Sequence, residues 1–417
     1  MRVFLAILLI SGNTFAQSDR VFQDLDPLCG PYMAGRGYVD SGHLKAAKYI
    51  AERFEKIGLH SFDSTYYQKF EIDVNTFPED QYLKINRREL LVGEAFIPKS
   101  FSSSGKGRAR LYFLDTTIFS NAEARVEFLN KNLKRKAVVY TSEDYSRISE
   151  LPMDYVEHLF SSEISIELKK RLISSYSSAQ YKSLNIEVLD SLISSDSKRI
   201  KYNIESEFKE DLQTQNVIGY LPASIDNAPY VIISAHYDHM GKIGDAYFPG
   251  ANDNASGVTM MLDLANYYAR NRKARKYNYV FIAFGAEETG LSGSEYFVKH
   301  SYFDLKDIRF VMNLDLMGNG EEGITIVNGK VFKKEAEIIQ KINNYNHLVP
   351  EIKLRGKAAN SDHYHFSERG VPAFFIYTMG GKAWYHDIYD KPSELGLKKY
   401  AAIRGLIIQF FNQLDSY

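Results

Sequence analysis

Residues 230–257 read YVIISAHYDHMGKIGDAYFPGANDNASG, and the fold turns on how they are taken. The run 230–235 is apolar and rich in β-branched residues, the pattern of a strand buried on both faces of a sheet. It ends on His236 and Asp238, and the loop beyond them closes on Asp253, where an amphipathic helical pattern begins. A strand end carrying a His and an Asp, facing a helix start with a further Asp, is what a metal site in an open α/β sheet needs.

The same alternation continues outward. Strand patterns recur at 279–284, 310–315, 323–327 and 373–377, and helical patterns at 256–271, 293–300, 333–345, 364–369 and 397–414. Upstream, Leu44, Ala47, Ile50, Ala51, Phe54 and Ile57 keep the helical period, and Gly58 stops it. This predicts an α/β fold with a mostly parallel central sheet and helices on both faces. Between 82 and 205 the character changes. Short segments at 108–114 and 134–140 read as strands, 164–175 reads as a helix, and Ser-rich stretches such as SFSSSGKG separate them. The expected organisation is a signal peptide at 1–16, the first part of the main domain at 17–81, an inserted β-rich domain at 82–205 and the remainder of the main domain at 206–417. In the turn AGRG, residues 34–37, Arg36 is expected either to anchor a carboxylate or to stand in solvent.

The totals exclude several classes. At 417 residues and 45% hydrophobic the chain is long enough for an α/β core and a smaller second domain. Lys+Arg 51 against Asp+Glu 52 gives a net charge of -1, which offers nothing to nucleic acid or an anionic membrane. The opening MRVFLAILLISGNTFA has one Arg, an apolar run and a small-residue site before Gln17, the pattern of a cleaved secretory signal. No other apolar run approaches the roughly 18 to 20 residues of a span, so the mature chain is expected to be exported, periplasmic or extracellular, without an integral membrane segment. Cys29 is the only cysteine, which excludes an intrachain disulfide and leaves a buried thiol. The sequence contains no His-Glu-x-x-His, no Gly-x-Ser-x-Gly, no phosphate-binding loop and no Cys pair.

The ionisable residues fall at strand ends. His236 and Asp238 follow the first strand, Glu287 and Glu288 the second, Asp315 ends the third, and His386 lies in the loop after 373–377. Carboxylates converging on one sheet edge repel one another unless a counter-charge joins them. Two zinc ions against Asp253, Glu288, Asp315 and one hydroxide leave no net charge, and the neutral imidazoles of His236 and His386 complete the ligand set. Glu287, next to a ligand but outside that set, suits a general base. Asp238 is placed to orient the His236 imidazole, and Tyr385 to donate its hydroxyl to a developing oxyanion. His239 is expected to be a bystander.

The runs AHYDH, PGANDNASG, FGAEETGLSGSEYF, NLDLMG, SDHYHFSERGVPA and YHDIYD, in this order, resemble the zinc aminopeptidases of metallopeptidase family M28. The resemblance implies His236 and Asp315 on one zinc, Glu288 and His386 on the other, Asp253 between them and Glu287 as base. It also implies that Asp238 supports His236, that Tyr385 stabilises the intermediate, and that Asp362 and His363 line the pocket. The substrates implied are the N-termini of peptides or proteins. Where relatives often read His-Thr-Pro, this chain reads His386-Asp387-Ile388, a change expected at the pocket rim. Three rivals stay open: a glutaminyl-cyclase-like acyltransferase with one zinc, a carboxypeptidase-type peptidase with a cationic pocket, and a non-catalytic binding ectodomain on the same fold.

Overall fold

The computed structural model describes residues 21–272, 275–382 and 384–415. The expected signal peptide at 1–16 lies outside the described residues. Eight strands build the main sheet, in the spatial order Tyr67–Thr76, Glu207–Leu221, Asn278–Phe284, Tyr230–His236, Ile308–Leu314, Ala373–Met379, Gly323–Val327 and Ile352–Leu354. The four central strands, 278 to 379 in that order, are parallel neighbours. Antiparallel pairings flank them on both sides, through Glu207–Leu221 and Gly323–Val327.

Chain order explains where a ligand goes. From Tyr230–His236 the chain passes to the neighbour on one side, Asn278–Phe284, and then to the neighbour on the other, Ile308–Leu314. This reversal opens a crevice at the carboxyl end of Tyr230–His236, where open α/β sheets bind ligands. His236 is the last residue of that strand.

Both faces of the sheet are covered. Val231, Ile233 and Ala235 join a core with Phe54, Leu262, Ile339 and Ile407 from helices Gly42–Ile57, Ser256–Arg270, Lys333–Asn346 and Tyr400–Gln413. Ile232, pointing the other way, packs with Phe297 and Phe366 of helices Ser292–Lys299 and His363–Ser367. Each such aliphatic side chain, fully withdrawn from water, stabilises the layer by about 1.5–3 kcal/mol. The carboxyl edge of the strands therefore sits on a rigid platform. Cys29 is buried and free, and burial pushes its thiol up to about 12.

A second eight-stranded sheet takes its strands from between Tyr82 and Ile204, in the order Arg88–Leu90, Tyr82–Ile85, Arg199–Ile204, Gly105–Phe113, Lys136–Thr141, Ile164–Lys169, Asn185–Leu189 and Phe96–Pro98. The helix expected at 164–175 is a strand, Ile164–Lys169, parallel to both neighbours. Ile164, Ile166 and Leu168 alternate with period two and the first two are β-branched, which decides for a strand once parallel partners bury both faces. Helices Ala122–Leu129, Ser142–Ile148 and Met153–Phe160 cover part of this sheet, through Phe128, Ile148 and Leu159 on Val138 and Tyr140. No helix among the described residues is long and apolar enough to cross a membrane.

Candidate metal centre

Five separate segments at one sheet edge bring the site together. His236 ends its strand, Glu287 and Glu288 follow Asn278–Phe284, Asp315 follows Ile308–Leu314, and Asp253 lies in the helical turn Ala251–Ala255 that leads into Ser256–Arg270. His386 arrives from the loop after Ala373–Met379. His236 Nε2 stands 3.3 Å from Asp253 Oδ1 and 3.4 Å from Asp315 Oδ1. His386 Nε2 stands 3.2 Å from Asp253 Oδ2 and 3.1 Å from Glu288 Oε2. Asp253 thus faces one imidazole with each of its oxygens. Donor atoms of His236, Asp253 and Glu288 lie within 4.8 Å of one another, as do those of His236, Glu287 and Asp315.

The other ring nitrogens fix the tautomers. His236 Nδ1 is 3.1 Å from the Asp238 carbonyl, and His386 Nδ1 is 2.8 Å from the Ser174 carbonyl. A carbonyl only accepts, so each Nδ1 carries a proton and each Nε2 is left facing carboxylate oxygens. Carboxylate oxygens this close to an imidazole nitrogen need a positive charge between them, which is a proton on Nε2 or a metal ion that takes the lone pair of the neutral ring. His386 Nε2 and Asp315 Oδ1 are buried without a hydrogen-bond partner among the described residues, which is the condition of metal ligands rather than of a hydrogen-bonded core. The same demand appears in the protonation energetics. Burial works against a charged His386, yet Glu288 and Asp253 push it up to about 11. His236, also buried, is held well above the ordinary imidazole value by Glu287 and Asp315. Burial, with Glu288, Asp362 and Asp315 adding to it against His236, raises Glu287 well above the carboxylate range.

The scaffold behind these groups was only partly legible in the sequence. The Asp238 carboxylate, expected to orient His236, stands 3.9 Å from its Nδ1, which is too far for a hydrogen bond. It instead accepts the backbone N–H groups of Glu287 and Glu288 at 3.1 and 3.2 Å, so it ties the two glutamates to the His236 strand. Arg36 neither anchors a carboxylate nor stands in solvent. It is fully buried and donates to the carbonyls of Leu28, Tyr237, Pro249, Gly250 and Asp253, clamping the loop between His236 and Asp253. Asp390 accepts the N–H groups of Asn252 and Asp253. Ser361 donates to Asp315 Oδ2 at 2.9 Å and receives Asn313 Nδ2 at 2.7 Å. Asp390 and Ser361 lie within YHDIYD and SDHYHF, which is the only signal the sequence offered for them.

Ser174, in the connection that follows Ile164–Lys169 of the second sheet, makes a reciprocal pair with His386: its carbonyl accepts Nδ1–H and its N–H donates to the His386 carbonyl at 3.2 Å. Arg171 reaches the same loop, donating to the Tyr385 carbonyl at 2.8 Å and facing Asp387 at 3.8 Å. The second sheet's chain therefore holds one of the imidazoles in place. Ala286, Leu316 and His386 adopt left-handed φ values of 58°, 57° and 54°, each beside or within the cluster. Each costs about 1–3 kcal/mol and survives because the surroundings over-determine it.

The cluster opens into a cavity of about 270 Å³ that Leu316, Arg355, Asn360, Phe375, Tyr377 and Tyr385 also line. Tyr385 is half exposed and stacks on the His386 ring, centroids 3.8 Å apart. Trp384 does not line the cavity; its Nε1 donates to Glu394. Asp362 and His363 are buried and absent from the lining, where Asn360 stands instead. His239, expected to be a bystander, is fully buried with Nδ1 3.1 Å from Glu288 Oε1.

Residues 216–411 match the family described as Peptidase family M28. Aminopeptidase YwaD of Bacillus subtilis is 33% identical over 192 residues, covering 42% of this chain and 39% of the relative. A probable zinc metalloprotease of Pyricularia oryzae is 32% identical over 121 residues, 28% of this chain and 23% of the relative. The chain thus spans well under half the length of these curated relatives. Two solved structures share the fold over 95% of this chain and 93% of their own: BSAP, a zinc aminopeptidase from Bacillus subtilis, with TM-score 0.69 at 20% identity, and a Peptidase M28 precursor from Shewanella amazonensis, with TM-score 0.71 at 14% identity.

Proposed function

We propose that the protein is an exported zinc-dependent aminopeptidase that removes N-terminal residues from peptides, a reading supported by the match of residues 216–411 to the family described as Peptidase family M28. His236 and Asp315 would hold one zinc ion, Glu288 and His386 a second, and Asp253 would reach both. The observation that carries this reading is the pair of buried Nε2 atoms that each face two carboxylates at 3.1 to 3.4 Å, with both Nδ1–H groups already committed to carbonyls.

Bound zinc supplies Lewis-acid polarisation of the scissile carbonyl and a lowered water pKa at neutral pH. Glu287 takes the proton from the attacking water and hands it to the leaving amine. Tyr385, at the mouth of the cavity, donates its phenol O–H to the carbonyl oxygen as that oxygen gains charge. Asp238 keeps Glu287 and Glu288 in register through their backbone N–H groups.

The test compares one peptide with its N-acetylated form. Hydrolysis of the free form alone, from the N-terminus, lost on chelation and restored by zinc, is the expected result; equal cleavage of the blocked form would overturn the reading. Arg355 in the cavity wall favours a second reading, since a carboxypeptidase-type enzyme needs a cation for the substrate carboxylate. C-terminal amidation abolishes that activity and leaves aminopeptidase cleavage intact.

A further inference from the structure

Among the described residues the second sheet leaves part of one face uncovered, and that part is cationic. Strands Tyr82–Ile85, Arg199–Ile204 and Gly105–Phe113, with the start of Lys136–Thr141, line a groove of about 740 Å³ that has no acidic lining residue among the described residues. Their other faces, including Leu83, Ile200 and Ala109, are buried in the second core. Further along, the same face is covered, because Val138 and Tyr140, two and four residues beyond Lys136, lie beneath the three helices.

The register sets like charges side by side. Lys84 is the partner of Lys201, and Lys201 of Arg108, which makes one row across three strands. Arg199 is the partner of Arg110, and Arg110 of Lys136, which makes a second. Lys134 and Arg135 extend the lining at the next turn. Like charges directly opposite one another on a sheet destabilise it. None of the six forms an ion pair among the described residues; Lys201 lies 5.2 Å over the Tyr82 ring, and Glu89, opposite Lys84 on the next strand, closes one end of the first row. A chain of net charge -1 has thus concentrated cations where they repel one another and face water. A ligand that neutralises both rows would remove that repulsion.

We propose that this face binds an extended acidic segment of a polypeptide. Along each strand, same-face residues repeat about every 6.8 Å, and an extended peptide presents alternate side chains at the same repeat. Carboxylates at every second residue meet Arg199 then Lys201, or Arg108 then Arg110, and the guanidinium forks take them bidentately. A concave groove with this repeat suits a single chain better than a flat bilayer. The proposal goes beyond the peptidase reading and stands on the groove alone.

The experiment measures fluorescence anisotropy of labelled octa-glutamate with the full chain carrying Glu287→Gln, so that turnover plays no part. Octa-lysine, oligodeoxythymidine and phosphatidylglycerol vesicles are run alongside. Octa-glutamate is expected to bind, to weaken about tenfold or more when Arg110→Glu and Lys201→Glu are combined, and to weaken steeply between about 50 and 300 mM salt. The milder Lys201→Gln and Arg110→Gln pair, checked for an unchanged melting temperature, repeats the reading should the reversal fail to fold. Absent octa-glutamate binding, binding that survives the folded variants, or groove-dependent binding of the oligonucleotide or vesicles alone would each overturn the proposal. Absence of peptide hydrolysis by the chain with Glu287 intact, while octa-glutamate still binds, would count against the peptidase reading only.

Discussion

Both eight-stranded sheets gather charges of one sign, and they do so in opposite surroundings. At the carboxyl edge of the main sheet, Asp253, Glu287, Glu288 and Asp315 converge in a largely buried cluster beside two imidazoles. On the second sheet, two rows of Lys and Arg stand in water. The difference lies in what the solvent can relieve. Exposed cations about 5 Å apart are screened within a Debye length of about 8 Å at physiological salt, so their repulsion is a small, salt-dependent term. Buried carboxylates have no such relief, and removing one counter-charge from a buried pair costs about 3–5 kcal/mol. The buried set therefore demands bound cations and a rigid frame, while the exposed set tolerates being unpaired and remains available to a soft, extended ligand.

That contrast can be broken from the buried side first. Glu287→Gln keeps the shape and every proposed ligand but removes the base, so kcat on an aminoacyl substrate should fall by about 10²–10⁴-fold with zinc content unchanged; full activity would remove Glu287 from the mechanism. Arg36→Met leaves five carbonyls around the His236 to Asp253 loop without their charged donor. Chemical denaturation should show a loss of about 3 kcal/mol or more, and a loss below about 1 kcal/mol would mean the clamp is dispensable. Arg171→Ala tests whether the second sheet's chain holds the His386 loop. The arginine is partly exposed and its bonds sit at the rim, so a loss of about 1 kcal/mol in transition-state stabilisation is expected, read as a several-fold fall in kcat/KM with near-normal folding.

The exposed side should answer weakly and with the opposite sign. Lys201→Glu turns two like-charge neighbours, Lys84 and Arg108, into opposite-charge ones. Stability should rise by about 0.2–1 kcal/mol at low salt, and the gain should fade as salt is added. A destabilised variant, or a gain indifferent to salt, would mean that the rows are not repulsive.

The two regions also differ in how far the sequence disclosed them. The strand ends of the main sheet were legible because buried parallel strands are apolar throughout and their chemistry begins where the apolar run stops, as at His236 and Asp315. Supports that act through backbone carbonyls were not: Arg36 and Ser174 are 201 and 212 residues from Tyr237 and His386, the positions they hold, and a carbonyl acceptor leaves no residue type to recognise. Asp238 meets His236 through its backbone carbonyl, while its carboxylate turns to the N–H groups of Glu287 and Glu288, because spacing fixes a side of the strand and not the rotamer. In the second sheet, Ile164–Lys169 was read with the helical period because its neighbours in the sheet, which set its burial, are remote in sequence. The cation rows were invisible to a net charge of -1, since only register shows that Lys84, Lys201 and Arg108 are adjacent.

The buried cluster is proposed to hold two metal ions. Native mass spectrometry of the purified chain, after chelation and titration with zinc, counts them directly. The account predicts two zinc ions per chain, falling to one or none in His386→Ala; a wild-type chain that saturates at one zinc, or binds none, would contradict it.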